Sequence, residues 1–599
     1  MTLNAVRPML LILLLTPFGA LQAQQPVTTE APAAQELAAP PPHADLTATA
    51  RAVVLDVVVT DGKGNTVHGL NASDFVVAED GVPQRVDSLH EHTPRTVTAA
   101  IPKLPPNYFT NFMPAASADA WTVILLDAVN NPPAVQMYVR EQLVKYMKTV
   151  PPGHPIALFE LDDTSMHMIQ GFTTDPEVLL KAADSKRDRV ESPLIGPNGR
   201  GYVQNQFRQE ILTDGLRSMG RYLAGFPGRK NLIWFSGSIP FAFWGGGLGS
   251  PFPDREDVST ELADATDALE LNQVSVYPID ARGLEVGPGY SAASGRAPSL
   301  GSTQNFVTRR FYDHADIEDI ADRTGGKAFY NTNGLKEAIG EVIETGSNYY
   351  TLAYTPTNKD WDGKHRAIKL ETTRGDLKLE YRHGYFARAE TKQQERRVAA
   401  LKHAAAQKGS TTQTESEFQP VMISGGHATG FNAAMQLGAI PPTEVIFGVS
   451  VTAGTGTQKL DKNAPKPQGN YLSDAERGKP FRNYGLLFRI APQTIKLTRT
   501  PEGMHHGEVQ LVTVVYDDKG VEVNSAAVLR KFDMTDAQYQ QIMKGGTMTL
   551  SSMVGVPAKG NYFFRFGVHD IIADHSGALE VPVDNVQMGV LGPMQQAVP

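Results

Sequence analysis

The chain has no cysteine in 599 residues. That absence removes disulfides, thiolate metal sites and cysteine nucleophiles together, so every folded part must be held by an ordinary apolar core. Basic charge is also in short supply: 55 Lys and Arg stand against 64 Asp and Glu, a formal net charge of −9. This is not the balance of a nucleic-acid binder, which presents a basic face. Long apolar runs are missing too, and no window approaches the ~20 apolar residues of a membrane-spanning helix. The nearest is Met9–Leu15, which follows Arg7, is bracketed by Pro8 and Pro17, and leads through small residues to Ala23-Gln24. Those are the basic, apolar and cleavage regions of a secretory signal over residues 1–23. The expectation is an exported chain, periplasmic or extracellular, with no transmembrane span in its mature part.

Recognisable catalytic chemistry is scarce. There is no His-Glu-x-x-His, no Gly-x-Ser-x-Gly and no phosphate loop. The glycine-rich run Trp244–Gly249 does not open a helix directly after a strand, so it reads as a surface loop. Phe243 and Trp244 beside it are candidates for an exposed contact surface. His505, His506, His569 and His575 read as isolated imidazoles rather than a metal set. The chain is therefore expected not to be an enzyme.

What is present falls into blocks. Residues 24–46, rich in Pro, Ala and Gln, read as a disordered spacer. Residues 47–95 alternate like strands around Asp-Gly turns, a small antiparallel β unit in which Asp61, Asn65 and Asp80 serve the turns. From Trp121 the period changes. Strands at 121–127, 155–161, 231–235, 274–280 and 327–330 alternate with helices at 134–149, 203–224, 255–271, 313–323 and 334–345, and a tight hairpin spans 155–170. A further helix starts at Thr174-Asp175-Pro176-Glu177, with a cap, an N1 proline and an early acid. This predicts a doubly wound, mostly parallel α/β sheet with one antiparallel edge strand over 118–346. β segments flank it: 347–388, packing with the N-terminal unit, and a β-sandwich over 418–590, reached through a charged helix and linker at 389–417. Residues 591–599 form a tail.

The order of these pieces carries a resemblance. A strand ending in Asp127, Gly171–Asp175, Arg229–Gly237 and Val276–Leu284 together resemble the von Willebrand factor type A domain. More narrowly, the chain is similar to the VWFA-related proteins of the acidobacterial type, in which a secretory signal and a β unit precede the A-like domain and a Tyr-rich β segment follows. The resemblance covers roughly 50–388. It implies a protein-binding or adhesion role and a metal-ion adhesion site, in which an Asp-x-Ser-x-Ser loop, a Thr and a second Asp hold Mg²⁺. In this chain Asp127 matches the first acid. Val129 replaces the first Ser and offers no oxygen; Asn131 replaces the second, and Ser236 stands where the third loop's Asp would be. From Asp175 through Leu212 there is no Thr. One carboxylate and two neutral oxygens hold a divalent ion weakly. Asp127, Asn131 and Ser236 are thus a degenerate site for Mg²⁺ or another divalent cation, or Asp127 is a structural acceptor. Asp280 ends another strand at the same edge, either as a binding-edge residue or paired with Arg282. The leading expectation is a non-enzymatic module for protein partners. The alternatives are a periplasmic structural or assembly component acting through the β domains, and a hydrolase with a dispersed site.

Overall fold

The computed structural model describes residues 52–94, 104–112, 120–150, 153–163, 165–184, 202–237, 265–284, 300–388, 430–459 and 478–589. The expected signal and spacer, the Phe243-Trp244 stretch, residues 255–264 of the helix expected at 255–271, the expected charged helix and linker at 389–417 and the tail at 591–599 lie outside the described residues.

Five strands build the central sheet, in the spatial order Val274–Asp280, Arg229–Ser236, Ala120–Asp127, Ile156–Leu161, Met166–Thr173. All neighbours are parallel except the last pair, the hairpin. The run at 120–127 becomes a central strand because both of its faces can be buried. Trp121, Val123 and Leu125 pack toward one core, Ile124 and Leu126 toward the other. The first core is completed by the Tyr202–Leu223 helix, residues 265–269 and the end of the Leu300–Thr324 helix. The second is completed by the helices Pro133–Met147, Pro176–Ala183 and Leu335–Gly346. Helices on both faces of a mostly parallel sheet make the doubly wound class. Asp175 caps the Pro176–Ala183 helix by accepting from the backbone N–H groups of Glu177 and Val178. The chain runs outward from Ala120–Asp127 on one side, then returns to add strands on the other. The reversal falls between the strands ending at Asp127 and Ser236, where an open α/β sheet forms its ligand crevice.

Two expected elements differ in extent. The helix expected over 313–323 begins at Leu300; its first turns, Leu300-Gly-Ser-Thr-Gln, lack an apolar stripe and leave no periodic signal. The short strand expected at 327–330 is a single parallel bridge, Phe329 with Ile279. The chain turns away immediately afterward, with Asn331 at φ 55.

Residues before and after the α/β domain interleave in one β-sandwich. Val53–Thr60 lies between Tyr349–Tyr354 and Lys378–Glu380, while Asp362–Thr372 lies between Phe75–Glu79 and Gly384–Arg388. Inside it the buried Glu79 carboxylate accepts from the Tyr354 and Tyr385 hydroxyls at 2.7 and 3.0 Å. Asp61 accepts from the backbone of Lys63 and Asn65 and from the Asn65 side chain, a turn role. A second sandwich occupies the C-terminal part. One sheet contains Phe447–Ala453, Pro480–Ile490 and Met548–Pro557; the other contains His505–Asp517, Glu522–Met534, Tyr562–Asp570 and His575–Pro582. Tyr108–Thr110, from a stretch with no strand signal in the sequence, adds antiparallel to Phe447–Ala453.

Side chains at the amino ends of the parallel strands fasten both sandwiches to the α/β domain. There, Thr443 meets the end of the Tyr202–Leu223 helix. Its N–H donates to Arg221 O at 3.0 Å, its hydroxyl donates to Tyr222 O at 2.6 Å, and that hydroxyl accepts from Gly225 N at 2.8 Å. Terminal helix carbonyls without intrahelical donors are satisfied by the neighbouring domain. A few residues on, where its strand begins, the fully buried Arg229 donates to Tyr277 OH, Gly325 O and Asn231 Oδ1. Beside it Lys230, 3% exposed, donates to Asn272 O at 2.8 Å. Burial pulls the Lys230 amine down to about 7, with Asp56 in the N-terminal sandwich opposing the shift.

Between about pH 7 and the amine's ordinary 10.5, the unfolded chain holds this proton more tightly than the folded one. Raising the pH across that window therefore stabilises the fold, by at most about 1.4 kcal/mol per pH unit. Urea unfolding measured from pH 7 to 10 should show this rise, and Lys230→Met should flatten it.

Candidate functional site

Asp127, at the end of the central strand, is 2% exposed. Its Oδ1 accepts from Asn130 N at 2.9 Å. Its Oδ2 accepts from Asn130 Nδ2 at 2.7 Å, Ser236 Oγ at 2.8 Å and Trp234 Nε1 at 3.2 Å. Each carboxylate oxygen offers about two lone-pair positions; three donors share Oδ2 and one meets Oδ1. Burial pushes the Asp127 carboxyl up, against the bonds from Asn130 and Ser236 and the charge of Arg208. Arg208, on the Tyr202–Leu223 helix and 8% exposed, donates from Nε to Asn130 Oδ1 at 2.8 Å and from a terminal nitrogen to the same oxygen.

Asn131 lies in the same loop but does not aim an oxygen at Asp127. Its Nδ2 donates to Asp127 O at 2.8 Å and Phe235 O at 2.9 Å, joining the two strands at the reversal point. Its Oδ1 is buried without a hydrogen-bond partner. A Cβ on Gly237 would stand 2.8 Å from that oxygen and 3.2 Å from Arg282 Cγ, so a larger residue at the exit of that strand would have to displace Asn131. Val129 is fully buried in the apolar core. Asp127 and Ser236 are therefore brought into contact, while Asn131 is adjacent with its amide turned to the backbone.

Asp280 forms a separate ion-pair group at the neighbouring strand end. It accepts from Arg282 N at 3.0 Å, Nε at 2.9 Å and a terminal nitrogen at 3.0 Å. Arg282 also reaches Asp313 at 2.7 Å, and His314 lies 3.4 Å from Asp280. Burial raises the Asp280 carboxyl, but the contacts from His314 and Arg282 outweigh it and leave the group below its ordinary range. Phe243 and Trp244, the other two edge candidates, lie outside the described residues. Asp162 takes a turn position, accepting from Ser165 N at 3.0 Å and pairing with His167 at 3.0 Å.

Asn130, Trp234 and Arg208 were not singled out from the sequence. Asn130 has a local signal, since an Asp three residues upstream can accept its N–H in a turn. Trp234 sits in an apolar run, where its indole N–H is invisible to periodicity. Arg208 is one of several polar residues in the run Gln204–Glu210, and only the folded contact distinguishes it.

Hydroxyl, imidazole and carboxylate meet at the same carboxyl edge, in the turn after Leu161, the residue in register with Asp127. Ser165 Oγ and Asp162 Oδ2 both contact His167 Nε2, at 3.2 and 3.0 Å. One nitrogen cannot both take the hydroxyl proton and be held by the acid, as a relay requires. Among the described residues, no three His, Asp or Glu side chains are grouped to hold a metal ion. His505, His506 and His569 instead each pair with an aspartate. A cleft of about 820 Å³ opens between the Leu300–Thr324 and Leu335–Gly346 helices and the Leu379–His383 segment. Its charge is mainly acidic, with Glu318, Asp322, Glu337, Glu341 and Glu380, and its lysine, Lys327, is paired with Glu341. None of its lining residues belongs to the Asp127 network.

No family model matches the chain, and no curated protein matches it. Among solved structures it is similar to the PilB minor pilin from Streptococcus sanguinis, at 12% identity and a TM-score of 0.23. That similarity covers 38% of this chain and 61% of the pilin, under two thirds of the pilin's length. It is similar to the SpRpn10 VWA domain at 15% identity and a TM-score of 0.18, over 38% of this chain and 97% of that one. It is also similar to a von Willebrand factor type A structure from Catenulispora acidiphila, at 12% identity and a TM-score of 0.23, over 54% and 75% of the two chains. The doubly wound class follows from the strand order and register of the central sheet.

Replacing Asp127 with alanine leaves the donors of Asn130, Ser236 and Trp234 without their acceptor. The expected loss is about 3–5 kcal/mol of folding stability, the range for breaking a buried charge network. Urea unfolding of Asp127→Ala in the presence of EDTA checks it.

Proposed function

We propose that this chain is an exported, non-enzymatic protein-binding module built on a vWA-like domain. The partner docks at the carboxyl edge of the sheet, around the reversal between the strands ending at Asp127 and Ser236. The observation that carries this reading is the placement of a rigid polar network at that crevice, where doubly wound sheets receive ligands. The network is hydrogen-bonded throughout its centre and offers no arranged nucleophile and base. The same edge carries exposed apolar side chains: Leu284 is 63% exposed just beyond Asp280, and Phe311 is 68% exposed on the helix whose Arg310 reaches Gly283 O. Large exposed apolar residues beside a polar rim suit a protein contact.

The mature chain, immobilised and exposed to the exported proteins of its own organism, should retain a specific partner. Phe311→Asp and Leu284→Asp should each lose that partner while unfolding at the wild-type midpoint. Equal retention by wild type and both variants contradicts docking at this edge, and turnover of a captured protein contradicts a purely binding role.

A further inference from the structure

The resemblance implies a divalent cation beside Asp127, and the residues present do not fit one. A cation needs oxygen lone pairs directed at it. Here the groups facing the carboxylate are N–H and O–H donors from Asn130, Trp234 and Ser236. Among the described residues, one buried side-chain oxygen nearby, Asn131 Oδ1, has no hydrogen-bond partner; it faces Gly237, while its own amide nitrogen is held by two backbone carbonyls.

We propose that Arg208 supplies permanently the positive charge that a bound cation would supply at this position. A carboxylate 2% exposed is costly unless an opposite charge and hydrogen bonds compensate it. Among the described residues, the Arg208 guanidinium is the cation joined to this network. It reaches Asp127 through Asn130, whose amide can be oriented only one way. Its oxygen faces the guanidinium, and its nitrogen faces the carboxylate. Each bond polarises the next, so the charge is felt across the relay. Because Arg208 is anchored in the Tyr202–Leu223 helix, the positive charge stays in place whatever the ion concentration. The edge is then held in one charge state, and partner binding does not depend on a cation. Only this last consequence rests on the proposed binding role; the charge arrangement stands without it.

The test uses the full mature chain with no partner. Thermal unfolding is followed in EDTA, in millimolar Mg²⁺ and in millimolar Mn²⁺, for wild type, Arg208→Met, Arg208→Lys, Asp127→Asn and the Asp127→Asn/Arg208→Met double variant. The wild-type midpoint should be the same in all three buffers. Arg208→Lys, which keeps the charge, should lose less stability than Arg208→Met. The double variant should be more stable than the two single losses predict, by about tenfold in the unfolding constant. If Arg208→Met does not fold, the comparison of Arg208→Lys with wild type and the ion dependence of wild type still decide. An Mg²⁺- or Mn²⁺-dependent rise in the wild-type midpoint that disappears in Asp127→Asn would overturn the proposal. So would independent effects at Asp127 and Arg208, or equal losses for the lysine and methionine variants. A failed partner capture with these results intact would reject the binding role alone.

Discussion

A carboxylate at the end of a central parallel strand, shut away from water, must be surrounded by donors or be protonated. Around Asp127 the loop and the adjacent strand are shaped by that requirement. The loop after the strand doubles back so that Asn130 presents both its backbone and side-chain N–H groups. The neighbouring strand contributes Trp234 and Ser236 at the required height, and the glycine at its exit leaves the Asn131 side chain its room. The Tyr202–Leu223 helix is drawn in through Arg208. One buried charge thus links two strands, a loop and a helix at the edge where the sheet reverses.

The opposite end of the sheet shows the same logic with the sign reversed. Arg229, a cation, and Lys230, whose amine burial pulls down to about 7, are buried where the N-terminal sandwich meets the strands, beside carbonyls, a tyrosine hydroxyl and the nearby Asp56. The two sandwiches are themselves assembled from distant pieces of chain. Residues near 55 pair with residues near 352, and residues near 109 pair with residues near 449. Such pairings close long loops, an entropic cost that the folded intervening domain lowers by holding the ends near each other. The helix capped by Thr443 shows that the C-terminal sandwich and the α/β domain also satisfy each other's backbone groups.

Much of the α/β layout is legible in the sequence because its strands are solid apolar runs and its helices carry stripes and caps. The Trp121–Asp127 run, the 155–170 hairpin and the cap at Asp175 all announce themselves locally. The role of Asp127 was only half legible. The missing hydroxyl at Val129 and the missing acid at Ser236 signal that the expected ion chemistry is incomplete. What replaces it, an arginine about 80 positions away acting through an asparagine, depends on a contact that no spacing rule encodes. The strand at Tyr108–Thr110 was silent for a related reason. Three residues cannot show a period, and their pairing is set by the partner strand.

The state of Asp127 can be read most directly from the indole of Trp234, whose N–H donates to its carboxylate. In a two-dimensional ¹⁵N spectrum of the selectively labelled tryptophans, assigned with a Trp234→Phe variant, Mn²⁺ is titrated into the metal-free protein. A carboxylate occupied by internal donors and balanced by Arg208 predicts that the Trp234 indole signal keeps its position and width through millimolar Mn²⁺. Selective paramagnetic broadening of that signal, absent in Asp127→Asn, would contradict the account.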